Sequence, residues 1–207
     1  MTAIVDYRAG NLTSVRLAFE AIGEKATVTS DPETVAAADR VVFPGVGAAK
    51  SAMRSLRELG LADVVREAAA AKPFLGICLG MQILFSHTEE DGGVDLLGVL
   101  PGEVRRFPDA SGFKIPQIGW NDVEPTAECG ILGGREAYYF VHSYCADICP
   151  FTAGVTSYAG VDFTAAVAKG RLFATQFHPE KSGRAGLALL KRFVSSDGAM
   201  QDKDTVK

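Results

Sequence analysis

Three histidines, at 87, 142 and 178, and four cysteines, at 78, 129, 145 and 149, with no Cys-x-x-Cys pair, leave this chain without the ligand spacing of a structural zinc site. No apolar run approaches the roughly 20 residues that a membrane-spanning helix needs. The opening Met1-Thr2-Ala3-Ile4-Val5-Asp6 has no basic flank followed by an apolar stretch, so no secretory route is expected. Cationic excess is lacking too: 21 Lys and Arg against 25 Asp and Glu give a net charge of −4, without the basic field that nucleic acid or an anionic membrane surface requires. A phosphate loop of the Gly-x-x-x-x-Gly-Lys-[Ser/Thr] type is absent. In the nearest approach to a dinucleotide fingerprint, Gly45-Val46-Gly47-Ala48-Ala49-Lys50, Lys stands where the third glycine belongs. These absences predict a cytoplasmic protein with no cofactor, no metal and no disulfide framework, in which Cys129, Cys145 and Cys149 serve as small, partly buried hydrophobes.

What is present fits one core. The chain has 207 residues and 47% hydrophobic content, enough to bury a substantial interior, and carries no repeat, low-complexity tract or linker. A single domain over 1–196 with a polar tail at 197–207 is expected. Its first half alternates apolar runs with helical patterns: Ala3 to Val5 then Asn11 to Ile22, Ala26 to Thr29 then a segment after Asp31-Pro32, Val41 to Phe43 then Ala48 to Ala71, Phe74 to Ile77 then Leu79 to Ser86. That order implies βαβ units, hence a doubly wound α/β fold with a mostly parallel sheet and helices on both faces. Gly23 and Gly60 read as helix stops or breaks. From about Gly92 short runs separated by Gly and Pro predict added antiparallel strands: Val94 to Val99, Ile115 to Asn121, Tyr138 to Tyr144, Val155 to Ala159, Thr164 to Ala168 and Leu172 to Phe177. Gly186 to Val194 reads as a closing helix.

Two segments carry chemistry. Gly76-Ile77-Cys78-Leu79-Gly80 follows the apolar Pro73-Phe74-Leu75 and is a Gly-x-Cys-x-Gly analogue of the Gly-x-Ser-x-Gly elbow, whose small flanking residues allow a sharp strand-to-helix turn that lifts the nucleophile out of the sheet. A helix starting at Leu79 or Gly80 would aim free N–H groups at the sulfur and favour the thiolate. About a hundred residues on, Phe177-His178-Pro179-Glu180 offers a base and a carboxylate to hold it; a strand persisting through Pro179 would put His178 and Glu180 on one face. Pro44-Gly45-Val46-Gly47 can turn an N–H toward a substrate oxygen and, with the Leu79 N–H, form an oxyanion hole. Gln82 lies one helical turn after Cys78. Glu89 and Glu90 could hold a substrate ammonium, and His142-Ser143-Tyr144 could bind a carboxylate; a solvated acidic loop and a loop cap remain the competing readings.

Gly76-Ile77-Cys78-Leu79-Gly80-Met81-Gln82 with His178-Pro179-Glu180 resembles the triad-type (class I) glutamine amidotransferases over nearly the whole chain. Within them, Pro44-Gly45-Val46-Gly47, Pro116-Gln117-Ile118-Gly119-Trp120-Asn121, Tyr139-Phe140-Val141-His142-Ser143-Tyr144 and Gln176-Phe177-His178-Pro179-Glu180-Lys181-Ser182 are similar to the glutaminase subunits of imidazole glycerol phosphate synthases. The resemblance implies a flavodoxin-like glutaminase fold and catalytic roles for Cys78, His178 and Glu180. It further implies an oxyanion hole at Val46, Gly47 and Leu79, and contacts to L-glutamine from Gly45, Gln82, Glu90, Ser143 and Tyr144. The implied partner is a (β/α)8-barrel cyclase subunit faced by Asn11, Trp120 and Lys181, which uses the ammonia to make imidazole glycerol phosphate and an aminoimidazole carboxamide ribotide. One departure stands out: the first loop commonly has Gly after Asp-aromatic, where this chain has Arg8. Two other readings stay open on residues alone: the glutaminase of another pathway, such as the anthranilate or pyridoxal phosphate route, and a non-catalytic thiol-sensing or binding protein of the same fold.

Overall fold

A computed structural model describes residues 1–126 and 130–196; Cys129 and the expected tail at 197–207 lie outside the described residues. The first half runs β1 (Thr2–Val5), α1 (Leu12–Ala21), β2 (Ala26–Thr29), α2 (Pro32–Ala37), β3 (Arg40–Gly45), α3 (Ala49–Glu58), α4 (Leu61–Ala71), β4 (Phe74–Cys78) and α5 (Leu79–Gln82). There follow β5 (His87–Thr88), β6 (Val94–Asp95), β7 (Glu103–Arg106), β8 (Gln117–Pro125), β9 (Glu136–His142), β10 (Tyr144–Ala146), β11 (Thr152–Tyr158), β12 (Val161–Lys169), β13 (Leu172–Thr175) and α6 (Gly183–Ser195). The strand order β2-β1-β3-β4-β13 is parallel throughout, and β12 then joins β13 antiparallel, which begins the mixed half of the sheet. β12 also pairs with β10 and β11, β11 leads to β8, and β8 and β9 form an antiparallel pair. The doubly wound, mostly parallel first half and the antiparallel additions expected from the sequence are both present.

Burial follows the strand period of two. Ala3, Val5, Val41 and Phe43 point into one core with α3 and α4 residues such as Met53, Leu56, Leu61 and Val65. Ile4, Val42, Leu75 and Ile77 point into the other with Val15 and Phe19 of α1 and Leu189, Leu190 and Phe193 of α6. Both faces of the parallel strands are covered, as such sheets require. The helix punctuation acts locally. Asp31 accepts from the Thr34 N–H at 3.0 Å with Pro32 in the first turn, and Gly60, at φ +67°, splits the expected long helix into α3 and α4.

Two expectations fail for physical reasons. The helix expected from Leu79 to Ser86 is a single turn, because the buried Ile83, Leu84 and Phe85 peel away to pack in the core and Leu97 N–H takes the Ile83 carbonyl. Less dipole therefore reaches Cys78 than a full helix would supply. The last strand stops at Thr175 rather than running through Pro179. His178 N–H reaches across to the Tyr139 carbonyl at 2.9 Å, and Pro179, which has no N–H, opens a 3-10 turn at Pro179–Lys181. Arg8 takes the left-handed conformation at φ +67° that glycine would adopt more easily, held by its N–H on Asp6 at 2.9 Å and its guanidinium on Glu58 at 3.3 Å.

The elbow after β4 depends on absent side chains. A Cβ on Gly80 would sit 1.8 Å from the Phe43 carbonyl oxygen, and one on Gly45 would sit 2.2 Å from the Tyr7 hydroxyl and 3.0 Å from the Gly80 nitrogen. Gly80→Ala should destabilise the fold by about 3 kcal/mol or more, since backbone of a central strand must move. Gly23→Ala, at φ +84° with nothing within 4 Å, should cost only about 1–2 kcal/mol of backbone strain. Urea unfolding of the two variants measures the difference.

Candidate active site

Cys78 ends β4 at φ +54° and ψ −112°, outside the usual regions for an L-residue. That strained turn is what projects the thiol over the carboxyl end of the parallel strands, where ligand sites form in such sheets. A cleft of about 410 Å³ opens there, lined by Val46, Gly47, Cys78, Leu79, Gln82 and Glu90 on one side and by Val141, His142, Ser143, Tyr144, His178 and Lys181 on the other, with Pro116 completing it. Leu79 heads the turn, so its N–H is one of those left without an intrahelical acceptor. Gly47 at φ +94° and the exposed Val46 lie beside it.

The second half of the site hangs on β9. Phe177 stacks on Tyr138 with ring centroids 4.0 Å apart, and Ser182 Oγ donates to the His178 carbonyl at 2.6 Å while accepting the Tyr139 N–H at 3.0 Å. The 3-10 turn then brings Glu180 back under the ring, with His178 Nδ1 at 2.7 Å from Glu180 Oε1 and both side chains no more than 3% exposed. The carboxylate fixes the tautomer that leaves Nε2 toward Cys78. Nε2 is buried with no formed hydrogen bond, a looseness common before substrate binds. Burial opposes a charge on His178, but Cys78 and Glu180 together outweigh it and raise its pKa to about 10. A cysteine, a histidine and a carboxylate that can serve as nucleophile, acid/base and orienting group thus meet in one cleft, an arrangement suited to acyl transfer through a thioester.

The other expected residues divide. Gln82, Glu90, Ser143 and Tyr144 line the cleft. Glu90 also accepts the first amide of α3, from Ala49, at 2.6 Å, and burial raises its pKa. Gly45 lies beneath the elbow, paired in register with Cys78, and not in the cleft wall. Asn11 caps α1, accepting the Ser14 N–H at 3.4 Å. Trp120, 58% exposed on β8, meets Tyr139 edge-on at 6.3 Å, and Lys181, which lines the cleft, has its Nζ 5.9 Å from the same ring. Sequence reasoning did not single out Tyr7, whose buried hydroxyl sits unpaired behind Gly45, or Gln176, whose Nε2 lies 3.7 Å from Cys78 Sγ. The signal for Gln176 was a polar residue just after a largely apolar strand and two positions before His178.

A family model for class-I glutamine amidotransferases matches residues 3–196. The chain belongs to that family. It is 50% identical to the imidazole glycerol phosphate synthase subunit HisH of Aromatoleum aromaticum, across 93% of this chain and 97% of that protein, and 46% identical to HisH of Pseudomonas putida, across 95% and 97%. It therefore falls among the HisH subunits within the family. Solved structures agree on the fold: a glutamine amidotransferase superposes with TM-score 0.72 at 20% identity over 93% of this chain and 97% of that one. The glutaminase domain of Trypanosoma brucei CTPS gives 0.64 at 18% identity over 95% and 94%.

His142 faces the cleft yet stays neutral. Burial is the main cause, the Tyr144 carbonyl on Nδ1 works against it, and the charge on His178 adds to it, leaving the pKa at about 4. Between pH 4 and 6.5 the unfolded chain then holds a proton there that the folded chain refuses, so folding stability falls as pH falls through that window. Replacing His142 with Gln should remove about 1.4 kcal/mol per pH unit of that slope, read from urea unfolding of both proteins at pH 6.5 and 5.

Proposed function

We propose that this chain is the glutaminase subunit of an imidazole glycerol phosphate synthase, in which a single domain over 1–196 hydrolyses L-glutamine and delivers ammonia to a (β/α)8-barrel cyclase subunit in histidine biosynthesis, in the cytoplasm. The observation that carries this reading is the meeting of Cys78 with the His178 and Glu180 pair in one cleft, in a chain half identical to HisH subunits.

The Cys78 thiolate attacks the carboxamide carbon, and the oxyanion forms against the Leu79 N–H and the N–H groups around Val46 and Gly47. As the C–N bond breaks, His178 gives its Nε2 proton to the departing amine, which leaves as ammonia. His178, now neutral, takes a proton from water as the hydroxide attacks the γ-glutamyl thioester; the C–S bond breaks and glutamate leaves with Cys78 a thiolate again. Glu180 holds the imidazolium in both halves. Gln82, Glu90, Ser143 and Tyr144 hold the amino-acid end of glutamine. The Gln82 amide nitrogen is already committed to the Tyr144 carbonyl at 2.8 Å and Gln176 Oε1 at 2.9 Å, so its carbonyl oxygen is the group left for the substrate ammonium. Gly45 supports the oxyanion strand from below.

Ammonia released into water is protonated and lost, so synthesis needs a dry transfer path. Ile118 (63% exposed) and Trp120 stand outward on β8, opposite Val141 and Tyr139 of β9, with Lys181 beside them at the cleft mouth. An exposed apolar patch anchored by a tryptophan is the anatomy of a docking surface, and we place the cyclase subunit there, with Asn11 at its edge.

Glutamate release from glutamine should require a barrel cyclase subunit with its ribotide ligand, vanish in Cys78→Ala, and fall at least tenfold at limiting partner in Trp120→Ala. Full activity in Cys78→Ala would contradict the thioester route, and undiminished partner dependence in Trp120→Ala would move the docking surface elsewhere.

A further inference from the structure

One backbone carbonyl orients a row of side-chain amides beneath the nucleophile. The Tyr144 oxygen can only accept, and it takes His142 Nδ1 at 2.8 Å and Gln82 Nε2 at 2.8 Å. Gln82 is thereby fixed with its NH2 end toward Tyr144. The same nitrogen donates to Gln176 Oε1 at 2.9 Å, so Gln176 shows its carbonyl to Gln82 and its NH2 group to the far side. There its Nε2 lies 3.7 Å from Cys78 Sγ. Gln176 is 0% exposed and Gln82 7%, so bulk water does not compete for these donors.

We infer that Gln176 is a further catalytic residue, donating an amide N–H to the Cys78 sulfur, with Gln82 the positioning residue that stops the amide from turning its oxygen toward it. The inference rests on Cys78 being the nucleophile of the glutaminase reaction. A hydrogen bond to an anionic sulfur is stronger than one to a neutral thiol or thioester, and stronger still in a dry site. The donor therefore favours the charged sulfur as nucleophile and, in the second half-reaction, as leaving group when water attacks the thioester. With the amide reversed, the negative end of a carbonyl dipole would face the sulfur. The other groups about Cys78 are His178, with Glu180 behind it, from the turn after β13, the Tyr7 hydroxyl from the loop after β1, and the Val141 carbonyl at 3.9 Å from β9. Burial first, and Cys78 second, raise the Tyr7 pKa far above its usual value, so its phenol is neutral and does not titrate with the thiol. His142 feels the charge of His178 and is neutral above about pH 4.

The test is the pH dependence of Cys78 alkylation by iodoacetamide in the folded chain, located by peptide mass mapping, for the native protein, Gln176→Met and Gln82→Met. Methionine keeps the length and removes the donor. The midpoint should rise by about one pH unit in Gln176→Met, because the charged form loses its donor. It should rise in Gln82→Met too, because Gln176 is then free to turn. In the complex with the cyclase subunit, Gln176→Met should lower kcat about 10- to 100-fold with KM changed less than about threefold. A residue that only packs would lower the melting temperature and leave the midpoint in place. An unchanged midpoint in folded Gln176→Met overturns the inference, and if that variant does not fold, an unchanged midpoint in Gln82→Met does so. The midpoint needs no turnover, so it is read separately from the nucleophile assignment, which retained activity in Cys78→Ala would sink by itself.

Discussion

Cys78 holds a positive φ that costs an L-residue on the order of 1–3 kcal/mol, and the rest of the site is arranged around keeping it there. Gly80 lets the turn press against the Phe43 carbonyl, Gly45 lets β3 pass under it beside Tyr7, and Gly76 leaves room against Ala174 and the Gly80 backbone. A methyl group at Gly80 or Gly45 would push backbone or ring apart and let the turn relax, withdrawing the sulfur into the sheet. The parallel pairing of Gly45 with Cys78 couples this turn to the Val46–Gly47 segment, so the proposed nucleophile and the proposed oxyanion donors are set by one packing arrangement.

Around that turn, charge is sorted between two histidines. His178 is paired with Glu180 and stays cationic; His142 is buried among acceptors and aromatic rings and stays neutral. Two imidazolium ions so close would repel, and the neutral one can serve as a structural donor. Its Nδ1 lies 2.8 Å from the Tyr144 carbonyl oxygen and its Nε2 lies 3.0 Å from Gln117 Oε1. The Tyr144 carbonyl thus orders polar groups on both sides, toward β8 and toward Cys78.

The legible parts were those set by local chemistry. The Gly-x-Cys-x-Gly spacing gave the elbow, Asp31-Pro32 the start of α2, Gly60 the break before α4, and period-two burial the parallel strands. What stayed hidden depends on distant contacts. The helix after Cys78 is short because Ile83 to Phe85 are wanted by the core, which periodicity alone does not report. The strand before His178 ends early because Tyr139, 39 positions upstream, supplies the carbonyl that captures its N–H. Strand β7, Glu103–Arg106, is charged at three of its four positions, pairs with β10 and β5, and adds Arg105 ion pairs to Asp147 and Glu89. Gln176 sat inside the motif that marked His178, yet its contact with the sulfur follows only from the strand order that places β13 beside β4. Glu90 was legible as a cleft carboxylate but not as the group that caps α3.

The claim on which all of this rests is that the strained turn presents Cys78 to form a γ-glutamyl thioester. The direct measurement is intact-mass and peptide-mass analysis of the complex with its cyclase subunit, acid-quenched during glutamine turnover. A γ-glutamyl adduct confined to the peptide bearing Cys78, and lost on chasing without glutamine, is the predicted result. Turnover at full rate with no adduct at any quench time, or an adduct on Cys145 or Cys149 instead, would contradict it.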